Sequence, residues 1–154
     1  MMHVATQFSV FLINKPGVLA QTLNALAAEK INVLAMTMMD SVEHGVLRVV
    51  AADADHARDV LAKLNASANE TDVLCVNLPN YAGAVAAVAT RLAEAHVNIN
   101  YAYCTAGAKG GRTTAVFKVA DLKKAMKVLE KTWAQKATSD KGAAKKTPAR
   151  PRKK

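Results

Sequence analysis

Cysteines, prolines and aromatic residues are all scarce in this sequence of 154 residues. The two cysteines, Cys75 and Cys104, do not have the spacing of a metal or redox site, and we expect buried, reduced thiols in a cytoplasmic protein. Apolar runs are no longer than a strand, and the first ten residues lack a charged region followed by a long apolar stretch. The sequence therefore predicts neither a membrane span nor a secretory signal.

Residue patterns typical of catalysis are also lacking. The four histidines are scattered without metal-ligand spacing, and no nucleophile lies in a recognisable turn motif. The stretch AGAKGG, residues 106–111, is too short and has its lysine in the wrong place for a phosphate-binding loop, and it is typical of a hairpin loop. We therefore predict no catalytic residue, no metal and no cofactor, and we expect a protein that is not an enzyme.

Hydrophobic residues make up 51% of the chain, which is enough for a core. The net charge of +9 is concentrated in residues 136–154, which hold eight lysines or arginines and one acidic residue. The composition of this tail, rich in lysine, alanine and proline, predicts disorder. The tail either improves solubility or makes weak contact with a polyanion. The remaining chain is nearly neutral, so no basic face is predicted.

An internal repeat organises the rest of the chain. Residues 14–36 recur as 80–102, with six identical residues, and Gly45 recurs as Gly111 in what looks like a hairpin. Each copy contains a β-rich run (QFSVFLI or DVLCVNL), a turn (NKPG or NYAG), a helix, two strands and a second helix for which Asp55 or Asp121 is the expected N-cap. The order predicts an α+β fold of two ferredoxin-like βαββαβ units side by side, with antiparallel sheets and helices on one face.

The fourth strand of each unit is the difficult one. The run ETDVLCVNL, residues 70–78, is the one good strand between the repeats, and we expect it to end the first unit and begin the second. The run TWAQKAT after the last helix is a poor strand, so the second unit lacks a fourth strand or borrows one. We expect a first unit at 1–70, a second unit at 71–135 and the basic tail at 136–154.

The stretch NKPGVLAQTLNALAAEKINVL, residues 14–34, resembles the signature of ACT domains, which are small ligand-sensing modules of amino-acid metabolism. Residues 6–135 resemble a tandem ACT protein without an attached enzyme. The resemblance implies that Asn14 and Asn32 contact the ligand, as the matching asparagines do in serine-sensing members. Those members carry a histidine two residues before the first asparagine, where this chain has Leu12 and Leu78, so serine is not implied.

The second copy has equivalent asparagines, Asn80 and Asn98. Within one unit a helix of about 13 residues separates the two asparagines by roughly 20 Å, too far for one amino acid to contact both. If the exposed second strands of the two units pair antiparallel, Asn14 faces Asn98 and Asn80 faces Asn32. The geometry then predicts two matching ligand sites at the interface between the units, one at each end. These asparagines are equally typical of helix caps and turns.

The turns supply groups for a zwitterion. N–H groups at a helix start suit a carboxylate, and an asparagine amide can both donate and accept hydrogen bonds. Tyr101 and Tyr103 either line this site or simply cover the sheet. The candidate ligand-binding residues are Asn14, Pro16, Gly17, Val18, Leu19 and Asn32 in the first copy, and Asn80, Tyr81, Gly83, Ala84, Val85 and Asn98 in the second.

We therefore expect an amino-acid-binding regulatory protein that acts as a homodimer or on a partner enzyme. The alternative is a dissociable regulatory subunit of an amino-acid biosynthetic enzyme; the resemblance suggests acetolactate synthase, whose small subunit also begins with an ACT unit. A third class, a nucleic-acid-associated protein, depends on the basic tail alone.

Overall fold

A computed structural model of the chain describes residues 1–39, 44–105, 107 and 110–131. The expected fourth-strand run TWAQKAT and the basic tail lie outside the described residues. The elements of the first repeat are β1 (Met2–Ile13), α1 (Val18–Ala28), β2 (Val33–Met39), β3 (His44–Ala51) and α2 (Ala54–Lys63). The second repeat has β4 (Ala68–Pro79), α3 (Ala84–Glu94), β5 (Ile99–Cys104), β6 (Arg112–Val119) and α4, of which 122–131 is described.

All six strands form one antiparallel sheet in the order β2-β3-β1-β4-β6-β5. Its centre is the pairing of β1 with β4, which runs from Met2 opposite Val76 to Val10 opposite Ala68. The start of β4 therefore serves as the fourth strand of the first unit, and the start of β1 does so for the second unit. The prediction of one long strand shared by both units is confirmed, and the second unit borrows its fourth strand from β1.

The helices cover one face of this sheet. In the first unit Phe8 and Val10 of β1 belong to the same buried cluster as Leu26 of α1 and Leu61 of α2. The second unit repeats the arrangement with Leu74, Phe117, Leu92 and Leu129. Each such side chain contributes about 1.5–3 kcal/mol when fully buried. The predicted α+β fold of two ferredoxin-like units with helices on one face is confirmed. In the described part of the chain no helix is long and apolar enough to cross a membrane.

The sheet face opposite the helices curves inward and is called the closed face below. Its buried cluster takes residues from β2, β3, β4 and β6 (Ala35, Val50, Val73, Cys75 and Val116). Cα atoms of β2 come within 8 Å of Cα atoms in β5 and β6. This approach requires the sheet to bend along the β1–β4 junction, with the helices outside.

The expected pairing of the second strands does not occur among the described residues. Strands β2 and β5 lie at opposite ends of the strand order, and no ladder joins them. The units join through β1 and β4 because these strands, 12 residues each, are long enough to pair with a strand of their own unit and with each other.

Two local expectations also need correction. The N-cap of α2 is Asp53, whose carboxylate accepts from the His56 N–H, while Asp55 lies inside the first turn. The expected cap Asp121 accepts from the Lys124 N–H. Gly45 and Gly111 are not equivalent: Gly45 lies within β3 opposite Leu12, whereas Gly111 precedes β6. The hairpin between β5 and β6 is the longer one, and this shifts the second half of the repeat.

Candidate functional site

The turns before α1 and α3 have the same backbone geometry. Gly17 and Gly83, which precede the two helices, both have φ of 91°, in the left-handed region that disfavours other residues. A Cβ added at either glycine would meet no atom within 4 Å. Glycine is therefore required at both positions by the backbone conformation rather than by lack of space.

Both helices begin without a compensating negative charge. Neither α1 nor α3 has an acidic residue in its first turn or a side chain that caps it. The first N–H groups make only long bonds, 3.4 Å from Val18 to the Lys15 carbonyl and 3.3 Å from Ala84 to the Tyr81 carbonyl. The N–H groups of Leu19 and Val85 follow in the same turns, where a helix offers no internal acceptor. Each turn therefore presents partial positive charge suited to a carboxylate.

The first asparagines of the two turns differ in their contacts. The Asn80 side-chain amide donates a hydrogen bond of 2.7 Å to the Gly107 carbonyl, and its backbone N–H donates to the Gly111 carbonyl. Asn14 is exposed, and its side chain makes no hydrogen bond to any described residue. The β5–β6 hairpin thus already engages Asn80, whereas the amide of Asn14 is available to a ligand.

The second asparagines, Asn32 and Asn98, are exposed at the helix-to-strand turns. Their backbone carbonyls accept from the N–H groups of Ala52 and Ala120. Through these carbonyls and the strand registers, Asn32 and Asn98 lie level with the middle of the β1–β4 pairing. Asn14 and Asn80 instead follow the outer ends of β1 and β4.

Three cavities adjoin these turns. One of about 550 Å³ is lined by Asn80, Tyr81 and the β5–β6 hairpin, and one of about 470 Å³ is lined by Asn98 and the end of α3. A third, of about 420 Å³, contains Val18 and the end of β1 in its lining. Asn80 and Asn98 line separate cavities, and no hydrogen bond joins any of the four asparagines within the described chain.

A polar contact that crosses between the units lies on the closed face of the sheet. Gln7 of β1, which is fully buried, donates to the Tyr101 hydroxyl at 2.8 Å and accepts from the Tyr103 hydroxyl at 3.1 Å. Burial raises the pKa of Tyr103, so its hydroxyl stays protonated. The two tyrosines therefore join β5 to β1 rather than simply covering the sheet.

Sequence reasoning missed Gln7 and also Arg48, whose guanidinium lies 4.3 Å from the centroid of the Tyr101 ring. The available signal was a polar residue within an otherwise apolar strand, QFSVFLI for Gln7 and GVLRVVA for Arg48. Such a residue needs partners when it is buried.

Groups for metal binding or nucleophilic catalysis are not gathered anywhere in the described ranges. No three histidine, cysteine, aspartate or glutamate side chains there could hold a metal ion. Cys75 is buried as expected, and burial raises the pKa of its thiol to about 11. Cys104 is exposed, so the expectation of a buried thiol is wrong there, and partial desolvation raises its pKa. Both thiols are therefore protonated and weakly nucleophilic at neutral pH.

Comparison with known proteins identifies the family. The family model described as an ACT domain pair matches residues 2–141, and the chain belongs to this family. The fold described above is thus that of a tandem ACT protein. No curated protein matches the chain.

Solved structures agree with this assignment. Protein BT0572 from Bacteroides thetaiotaomicron is 33% identical, with a TM-score of 0.78 over 85% of this chain and 90% of that one. The ligand-free regulatory subunit of aspartate kinase from Thermus thermophilus is 13% identical, with a TM-score of 0.62 over 85% of this chain and 94% of that one. The second likeness is one of fold alone.

Proposed function

We propose that this protein binds an amino acid and regulates a partner, without catalysing a reaction itself. The observation that carries the proposal is the first turn, where the N–H groups at the start of α1 face no acidic residue and the Asn14 amide has no partner in the described chain. Membership of the ACT domain pair family supports the same function.

The proposed ligand is a free amino acid because both of its charged groups find suitable partners. The carboxylate accepts from the N–H groups of Val18 and Leu19, strengthened by the α1 dipole. The Asn14 side-chain oxygen accepts from the ammonium group. Pro16 and Gly17 hold the turn in the required conformation.

The interface between the units remains the proposed ligand position, with Asn98 as the contribution of the second unit. Support comes from the internal repeat and from membership of the ACT domain pair family. The matching pair Asn80 and Asn32, with Tyr81, Gly83, Ala84 and Val85 of the second turn, is proposed as the weaker site because Asn80 is already bonded to Gly107.

Regulation would follow from a shift between conformations. A ligand that contacts both units favours the arrangement in which both contacts are made, and only such differential affinity changes the population. The partner is either a second copy of the chain or an enzyme of amino-acid metabolism. The fold likeness to a regulatory subunit of aspartate kinase supports a dissociable subunit, and no finding favours acetolactate synthase in particular.

A thermal-shift screen against the twenty amino acids tests the proposal. A ligand at 100 times its Kd should stabilise the protein by about 2.7 kcal/mol. The variants Asn14→Ala and Asn98→Ala should lose most of this gain, whereas Asn24→Ala, on the exposed side of α1, should keep it. No stabilisation by any amino acid would contradict the proposal, and loss with Asn14→Ala alone would place the ligand within the first unit.

A further inference from the structure

Arg48 differs from the other three arginines of the described chain. Arg58 pairs with Asp55 and Glu70, and Arg91 pairs with Glu94. The Arg112 side chain donates to the side chain and the backbone carbonyl of Asn77.

The Arg48 guanidinium, in contrast, has no oxygen acceptor among the described residues. It contacts the Met39 sulfur and the face of the Tyr101 ring, and its Nε is buried without a hydrogen-bond partner. A guanidinium carries five N–H donors, and a buried donor without an acceptor is unfavourable. The described residues therefore leave this buried donor without an acceptor.

The surroundings hold the guanidinium in a fixed orientation. Arg48 lies on β3 between Thr37 of β2 and Ser9 of β1, on the sheet face opposite the helices. The Tyr101 ring comes from β5 of the second unit, and its hydroxyl is held by Gln7. The cation thus lies where the two units meet, positioned by a residue from each.

Beyond Arg48 the same sheet face becomes apolar. Phe11 pairs with Val46, and Val46 pairs with Met39, two positions along the strands from the Ser9–Arg48–Thr37 row. Phe11 is 42% exposed and Met39 is 49% exposed. A cation beside exposed apolar side chains suits a molecule with a carboxylate at one end and a hydrocarbon body.

We propose that Arg48 binds the carboxylate of a small organic acid on the sheet face opposite the helices, where the two units meet, with the hydrocarbon body against Phe11 and Met39. The Met39 thioether is a weak acceptor on a flexible side chain, so a carboxylate displaces it and accepts from Nε and a terminal nitrogen of Arg48. This site goes beyond the proposed function, because it uses none of the four asparagines.

NMR of the arginine Nε–Hε group gives a direct test. The probes are 4-methylpentanoate, acetate and inorganic phosphate, each compared with chloride at the same ionic strength. The Arg48 signal, assigned by its loss in Arg48→Lys, should shift saturably with 4-methylpentanoate and bind it at least about tenfold more tightly than acetate, because the longer chain buries more CH₂ groups. Tighter binding of phosphate than of 4-methylpentanoate would overturn the carboxylate assignment.

Variants separate binding from folding. Met39→Leu should strengthen 4-methylpentanoate binding, because it removes the competing thioether and keeps an apolar side chain of similar size. Arg91→Lys, at an exposed ion pair, should leave binding unchanged. Asn14→Ala should also leave it unchanged, so a failure of the amino-acid site does not affect this result. A response equal to that with chloride, or weaker binding by Met39→Leu, would overturn the proposal.

Discussion

Gln7 donates a hydrogen bond of 2.8 Å to the hydroxyl of Tyr101, a residue 94 positions further along the chain. The bond crosses the closed face of the sheet from β1 to β5. Since Gln7 is fully buried, its amide cannot turn to water when this bond is lost. The relative position of the two units therefore depends on a buried polar group as well as on apolar packing.

Removing the Tyr101 hydroxyl tests this dependence. We expect Tyr101→Phe to lower the free energy of unfolding by about 1–3 kcal/mol, because the buried Gln7 amide loses an acceptor. Urea denaturation measures the effect, with Tyr81→Phe as the control, since Tyr81 is 57% exposed. Equal stability of Tyr101→Phe and the wild type would show that Gln7 finds another partner.

The two turn glycines should respond alike to substitution. Gly17→Ala and Gly83→Ala should each cost about 1–2 kcal/mol, because both residues have a φ of 91° and an added Cβ meets no neighbour that could change the result. Asparagine tolerates positive φ better, so Gly17→Asn should cost less. Thermal or urea unfolding measures the loss of stability of each variant. Wild-type stability of both alanine variants would contradict the prediction.

The matching asparagines should respond differently. Asn80→Ala should lower stability by about 1 kcal/mol, because the hydrogen bond to the Gly107 carbonyl is lost. Asn14→Ala should leave stability unchanged, since its side chain has no partner in the described residues. Urea denaturation of both variants without ligand makes the comparison. Equal losses would mean that the two turns have not diverged in their contacts.

Alkaline pH should weaken the fold through Cys75. Burial raises the pKa of this thiol from 9.0 to about 11, so between these values the unfolded chain releases a proton that the folded chain retains. Stability should therefore fall as pH rises through this window, by about 1 kcal/mol per unit. Cys75→Ala should show a shallower slope in urea denaturation from pH 8.5 to 11, whatever its stability at neutral pH. An unchanged slope would assign the loss to other groups, such as Tyr103.

Sequence patterns predicted the elements and the repeat because these depend on local periodicity and turn chemistry. The Pro16–Gly17 turn, the apolar face of α1 and the shared strand are all visible in short stretches. The prediction that β2 pairs with β5 to join the units was wrong, because β1–β4 pairing and β2–β5 pairing satisfy the same local pattern. The choice between them depends on long-range register, which short stretches do not encode.

The polar residues on the closed face were missed for a related reason. Arg48 and Gln7 lie within apolar strands, and an alternating pattern shows which face a residue is on but not what lies opposite. Only the bend of the sheet brings Tyr101 to both of them. The assignment of Asp55 as a cap failed on a smaller scale, since Asp53 and Asp55 both precede the apolar positions of α2 and differ only in which carboxylate reaches an N–H group.

The exchange of strand segments between the halves means that neither half is a complete building block. A chain cut within the loop before β4 would leave each half with an open edge where the other half now pairs. Such a half could complete its sheet only by pairing this open strand edge with the matching edge of a second half. Because the two halves are covalently linked, each half has a fixed partner. The effective concentration of that partner is far higher than separate molecules would reach in solution.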